Sequence, residues 1–84
     1  MERPYNGIFD DKEYCMKEIL LARKVFGDVK TTRKKYQKMC DGLALLYLYC
    51  PKEIKPLAEA TIKEASIRYI YFEKIWKIRE LNNV

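Results

Sequence analysis

Val-Lys-Thr-Thr-Arg-Lys-Lys-Tyr-Gln-Lys-Met-Cys-Asp-Gly-Leu-Ala-Leu-Leu-Tyr-Leu-Tyr-Cys, residues 29 to 50, decides the fold class. Within it, Val29, Thr32, Tyr36, Met39, Leu43, Leu46 and Cys50 are separated alternately by three and four residues. That alternation is the seam of a helix packed in a bundle or coiled coil, whereas a half-buried strand would alternate at every second position. Pro51 closes the segment, because proline disfavours α geometry in the residue before it. Asp28, Thr31 or Thr32 can cap its start. Gly42, in its interior, costs up to about 1 kcal/mol relative to alanine, which leads us to expect a close helix approach there.

The two halves of this segment differ in chemistry. Lys30 to Lys38 carries five cations and no acid, and the rest of the chain balances 12 Lys or Arg against 12 Asp or Glu, so the whole net charge of +5 resides in this run. Lysines at the start of a helix face the positive end of the macrodipole, and Lys30, Lys34 and Lys38 repeat at a spacing where like charges repel. A locally costly arrangement of this kind points to an anion or an acidic partner. Lys30, Thr31, Thr32, Arg33, Lys34, Lys35 and Lys38 are therefore the candidate anion or acidic-partner site, with a solvated helix face as the plain alternative. From Leu43 to Cys50, by contrast, every residue is apolar, and a helix with no polar face must be covered on more than one side.

The flanking segments extend the helical reading. Asp10 followed by Glu13 resembles a capping box, with Phe9 and Tyr14 as the accompanying staple. The inward face of that helix is Cys15, Ile19, Ala22 and Phe26, and Gly27 suits a left-handed stop. Beyond Pro51, Pro56 fits a first helical position. One seam then runs Ala58, Ile62, Ala65, Tyr69, Phe72 and Trp76, and Glu59–Lys63, Glu64–Arg68 and Glu73–Lys77 form acid-before-base pairs outside. Ile67, Ile70, Tyr71, Ile75 and Ile78 make a second apolar face on this same helix.

The expected architecture is all-α: a three-helix antiparallel bundle in a single domain over residues 1–84, self-associating because three helices leave apolar surface over. Helices are expected at about 10–26, 29–50 and 56–81, after a non-helical arm at 1–9 set by Pro4-Tyr5-Asn6-Gly7. Exposed apolar patches of this size are seldom left bare on a monomer, and tyrosine is enriched in interface hot spots. We assign Leu45, Leu48, Tyr49, Tyr71, Ile75 and Ile78 to an interface with a second copy or a protein partner; the competing arrangement wraps them within the chain.

Other chemistries find little support. The chain has no histidine, so the commonest general base and metal ligand is missing, and its 3 glycines are too scattered for a phosphate loop. We expect no enzyme, no metal and no cofactor. Cys15, Cys40 and Cys50 form no CxxC pair and read as free thiols of a reducing cytoplasm. The longest uncharged run, Gly42 to Pro51, is about half a membrane span, so no membrane partner is expected. In size and layout the chain is similar to small helical bacteriophage proteins, among them inhibitors of host defence and sponges for cyclic dinucleotides. No motif is matched residue by residue, so nothing is carried over from that likeness of layout. The apolar Leu43–Cys50 and Ile67–Ile78 surfaces, with the Lys30–Lys38 face for steering, lead us to expect a non-catalytic module that regulates or inhibits a protein partner. The alternative is a nucleic-acid or nucleotide binder using the phosphate-binding potential of the 30–38 face.

Overall fold

The computed structural model describes residues 9 to 82, and among these there are three helices and no strand. They are α1 (Lys12–Phe26), α2 (Arg33–Tyr49) and α3 (Lys55–Asn82), each packed against both others in an all-α bundle. The arm expected to be non-helical at 1–9 lies outside the described residues apart from Phe9, which is helical instead, buried, and stacked on Tyr49 with ring centroids 6.2 Å apart.

Two helix starts move inward from their expected positions, and local hydrogen bonds explain both. Asp11, not Asp10, accepts from the N–H groups of Glu13 (2.9 Å) and Tyr14 (3.3 Å), so α1 begins at Lys12. Before α2, the Asp28 carboxylate takes the Lys30 N–H at 3.0 Å and the Asp28 carbonyl takes the Thr31 N–H at 3.0 Å. Those bonds hold residues 28–31 in a turn. Thr32 is extended and caps α2 by accepting from the Lys35 N–H at 3.2 Å. Val29 consequently leaves the α2 seam and stands exposed in the turn. Gly27 ends α1 in right-handed geometry (φ −93°), with its N–H on the carbonyls of Arg23 and Lys24, so the expected left-handed stop is not used.

Tyr36 is the hub of the core. Its ring lies 4.8 Å from that of Phe26, 4.9 Å from Phe72 and 5.4 Å from Trp76, and its hydroxyl donates to the Ala65 carbonyl. Ala58 and Ala65 are fully or nearly fully buried on α3, where their small side chains let the helices approach. Gly42 does the opposite of what its position suggested. It is exposed, and a Cβ built there would meet nothing within 4 Å.

Three side chains of α3, from its middle onward, reach back to the end of α1 and the α1–α2 turn. Arg68 Nε donates to the Phe26 carbonyl (2.8 Å), Trp76 Nε1 donates to the Thr31 carbonyl (2.8 Å), and Arg79 donates to the Val29 carbonyl. These bonds satisfy carbonyls that the end of α1 and the turn leave without helical partners. At the other end, Lys55 Nζ donates to the carbonyls of Tyr47 and Leu48, neutralising the negative terminus of α2. Pinned along its length by these contacts, α3 holds a fixed rotation about its own axis.

Candidate interaction surfaces

The inner line of α3 is Ala58, Thr61, Ala65, Phe72 and Trp76, all buried. A helix with one buried line normally turns polar residues outward. On α3 the outward positions instead hold Ile67, Ile70, Tyr71, Ile78 and Leu81, exposed by 73, 63, 71, 59 and 74 percent respectively. Lys63, Glu64, Lys74 and Lys77 interrupt them, so the surface is apolar with a few charges of both signs set into it. Beside it, Val29, Arg68, Tyr71, Phe72 and Ile75 line a groove of about 320 Å³ between α3 and the turn.

The residues assigned to the interface from the sequence occupy two separate places. Tyr71, Ile75 and Ile78 border the outer face just described, with Tyr71 and Ile78 open and Ile75 half-buried. Leu45 is half-buried against the core, Leu48 is exposed, and Tyr49 stacks on Phe9, all near the end of α2 that Lys55 caps. Lys55 and Ile78 lie roughly 35 Å apart along the axis of α3 at the helical rise. The two groups are thus distinct patches. Leu81 and Val29 also belong to the exposed apolar surface and were missed, the first because it sits at a helix end, the second because it was placed inside α2.

The basic run is also divided. Thr31 is buried, and its hydroxyl donates to the Val25 carbonyl at 2.6 Å; the Thr32 hydroxyl is occupied as a cap. Arg33 reaches Glu80 at 3.5 Å and lies 5.0 Å from the centre of the Trp76 ring. Lys34 and Lys38 share a wide shallow depression with Arg33, Gln37, Asp41 and Glu80, so two acids stand among the cations. Lys35 borders a different depression with Leu21, Lys24, Val25, Asp28 and Thr31, while Lys30 is exposed in the turn. The seven residues do not converge on one point.

The thiols are sheltered. Cys15 and Cys50 are buried and Cys40 half-buried, all three are free, and burial pushes each above the ordinary thiol range. A thiol shifted in that direction is a poorer nucleophile near neutrality. Among the described residues no group of three or more His, Cys, Asp or Glu side chains is placed to hold a metal ion. No helix among them is long and apolar enough to cross a membrane. Comparison with protein-family models, with curated proteins and with solved structures finds no match.

Proposed function

We propose that this chain is a non-catalytic helical protein-binding module that regulates or inhibits a partner, and that its working surface is the outer face of α3. The observation that carries this reading is the exposure of Ile67, Ile70, Tyr71, Ile78 and Leu81 on a helix whose opposite face is already buried. Exposed apolar surface is unfavourable in water by about 25 cal/mol per Å², so docking there has a built-in driving force. The bonds from Arg68, Trp76 and Arg79 to the α1–α2 turn hold that face in one orientation before binding, which lowers the ordering cost of association. Successive helices run antiparallel in this reading: Arg33 meeting Glu80 and Lys55 meeting Tyr47 support it for α2 and α3, and Lys12 at the start of α1 meeting Glu53 just beyond α2 supports it for α1 and α2. The three free thiols suit a reducing cytoplasm.

The competing reading, phosphate binding by the 30–38 run, loses support from the commitment of both threonine hydroxyls and of Arg33 to bonds within the chain. Lys34 and Lys38 are better suited to steering a partner than to forming a closed anion site.

The test compares the complexes formed by the wild type, by Ile67→Ser/Ile78→Ser and by Lys34→Gln/Lys38→Gln, each at 50 and 200 mM salt with and without nuclease. The proposed function requires that complexes, with itself or with another protein, disappear in the isoleucine variant. They should survive nuclease and change little with salt. Complexes that persist in the isoleucine variant but fail in the lysine variant, falling steeply with salt, would establish the phosphate-binding reading instead.

A further inference from the structure

The outer face of α3 is more specific than an apolar patch, because its residues form two heptad lines. One line is Leu57, Glu64, Tyr71 and Ile78; the other is Ala60, Ile67, Lys74 and Leu81. Read together they alternate by three and four from Leu57 to Leu81, which is the seam pattern of a coiled coil. Along these lines Ala60, Ile67, Tyr71, Lys74, Ile78 and Leu81 are exposed, and Leu57 is half-buried at the start. Only two positions carry charge, one acid and one base: Glu64 and Lys74.

We infer that the occupant of this face is a second copy of the same chain, with the two α3 helices antiparallel and Glu64 of each copy opposite Lys74 of the other. This rests on the protein-binding reading above and names its partner. A twofold dimer is self-complementary, so contact of residue i with residue j brings contact of j with i. In antiparallel pairing each residue of one line faces a residue of the other, and a single register sets Glu64 against Lys74. That same register sets Tyr71 against Ile67, Ile78 against Ala60 and Leu81 against Leu57, so every remaining layer is apolar.

The alternatives are worse on charge alone. Sliding by one heptad in either direction puts Glu64 against Leu81 or Ile67 and Lys74 against Tyr71 or Leu57, burying both charges against apolar groups. A parallel pair places Glu64 on Glu64 and Lys74 on Lys74, two like-charge contacts. The chosen register also brings Lys63 of one copy towards Lys77 of the other. Lys63 already has Glu59 of its own chain at 3.8 Å, and Glu73 lies one turn before Lys77, which offsets that encounter. Glu64 stands 3.8 Å from Arg23 of α1, and both side chains are about half exposed, so the carboxylate remains open to a second cation.

The experiment is sedimentation equilibrium of the full chain across micromolar concentrations, with wild type, Glu64→Lys, Lys74→Glu and the double charge exchange. The wild type is expected to dimerise. Each single reversal turns two attractions into two repulsions and should weaken the dimer by about tenfold or more. The double exchange should restore it, and so should an equimolar mixture of the two single variants. Rescue by mixing also shows that both single variants are folded; circular dichroism melting of each, with Glu64→Gln as the milder change, checks this separately. A dimer indifferent to the reversals would overturn the inference. A wild type monomeric throughout would overturn it too; if that monomer binds 8-anilinonaphthalenesulfonate and Ile67→Ser/Ile78→Ser does not, the protein-binding reading survives for another partner. A monomer that binds no dye would remove both.

Discussion

The two faces of α3 have nearly the same apolar content and opposite fates. On the inner face, small residues admit the neighbouring helices, and the polar atoms that go in are all engaged: Trp76 on the Thr31 carbonyl, Tyr36 on the Ala65 carbonyl, Thr61 on the Leu57 carbonyl. On the outer face, Ile67, Ile70 and Ile78 are β-branched, large and exposed. Hydrophobicity and spacing therefore do not tell inside from outside on a helix with two apolar faces. The small Ala58 and Ala65 where the helices meet, and the settled hydrogen bonds of Trp76 and Tyr36, do.

The comparison is sharpest where a substitution should act on one face only. Trp76→Ala should destabilise the fold by about 3–5 kcal/mol in denaturant unfolding, since it empties core volume and leaves the Thr31 carbonyl without its donor. Tyr36→Phe keeps the ring and removes the bond to Ala65, so a loss of about 1 kcal/mol is expected. Tyr36 also provides a pH signature. Burial pushes its phenol from 10.0 to about 12, so the fold prefers the neutral form. The associated stability is present below the unfolded value and is lost as pH rises from 10 through 12. Melting curves over that window should fall more steeply for the wild type than for Tyr36→Phe.

Smaller effects are expected on the surface. Gly42→Ala should raise stability by about 0.5–1 kcal/mol, because the added methyl meets open space and the helix gains propensity. Tyr71→Ser on the outer face should change the stability of the isolated chain by less than about 0.5 kcal/mol while weakening association. If it destabilised the fold as Trp76→Ala does, the outer face would be part of the core.

The helical class, three helices and most of their inward residues were legible in the residues themselves. Of the seam from Val29 to Cys50, Tyr36, Leu43, Leu46 and Cys50 are buried, Met39 is half-buried, and Val29 and Thr32 are exposed; Cys15, Ile19, Ala22 and Phe26 are all buried. The turn between α1 and α2 was not legible. Several capping residues compete within five positions, and Asp28 and Thr32 divide the work, leaving Val29 outside the helix. Nor was the approach of Arg68 and Arg79 to turn carbonyls, since an arginine on a helix reads as solvated or as an i,i+4 partner. Glu64 was expected to pair with Arg68 and instead lies beside Arg23. The second apolar face of α3 was visible as composition, yet its separation from Leu48 and Tyr49 depends on where α2 stops and how α3 begins.

The central claim is that the outer face of α3 is open on the isolated chain and closes on association. Isoleucine methyl NMR with a soluble paramagnetic probe reads this directly. At high dilution Ile67, Ile70 and Ile78 should broaden strongly while Ile19, fully buried, does not, and as concentration rises the three should become protected together. Protection of all three at every dilution would show the face to be covered within the chain, and broadening that persists while complexes form would place the contact elsewhere; either result contradicts the account.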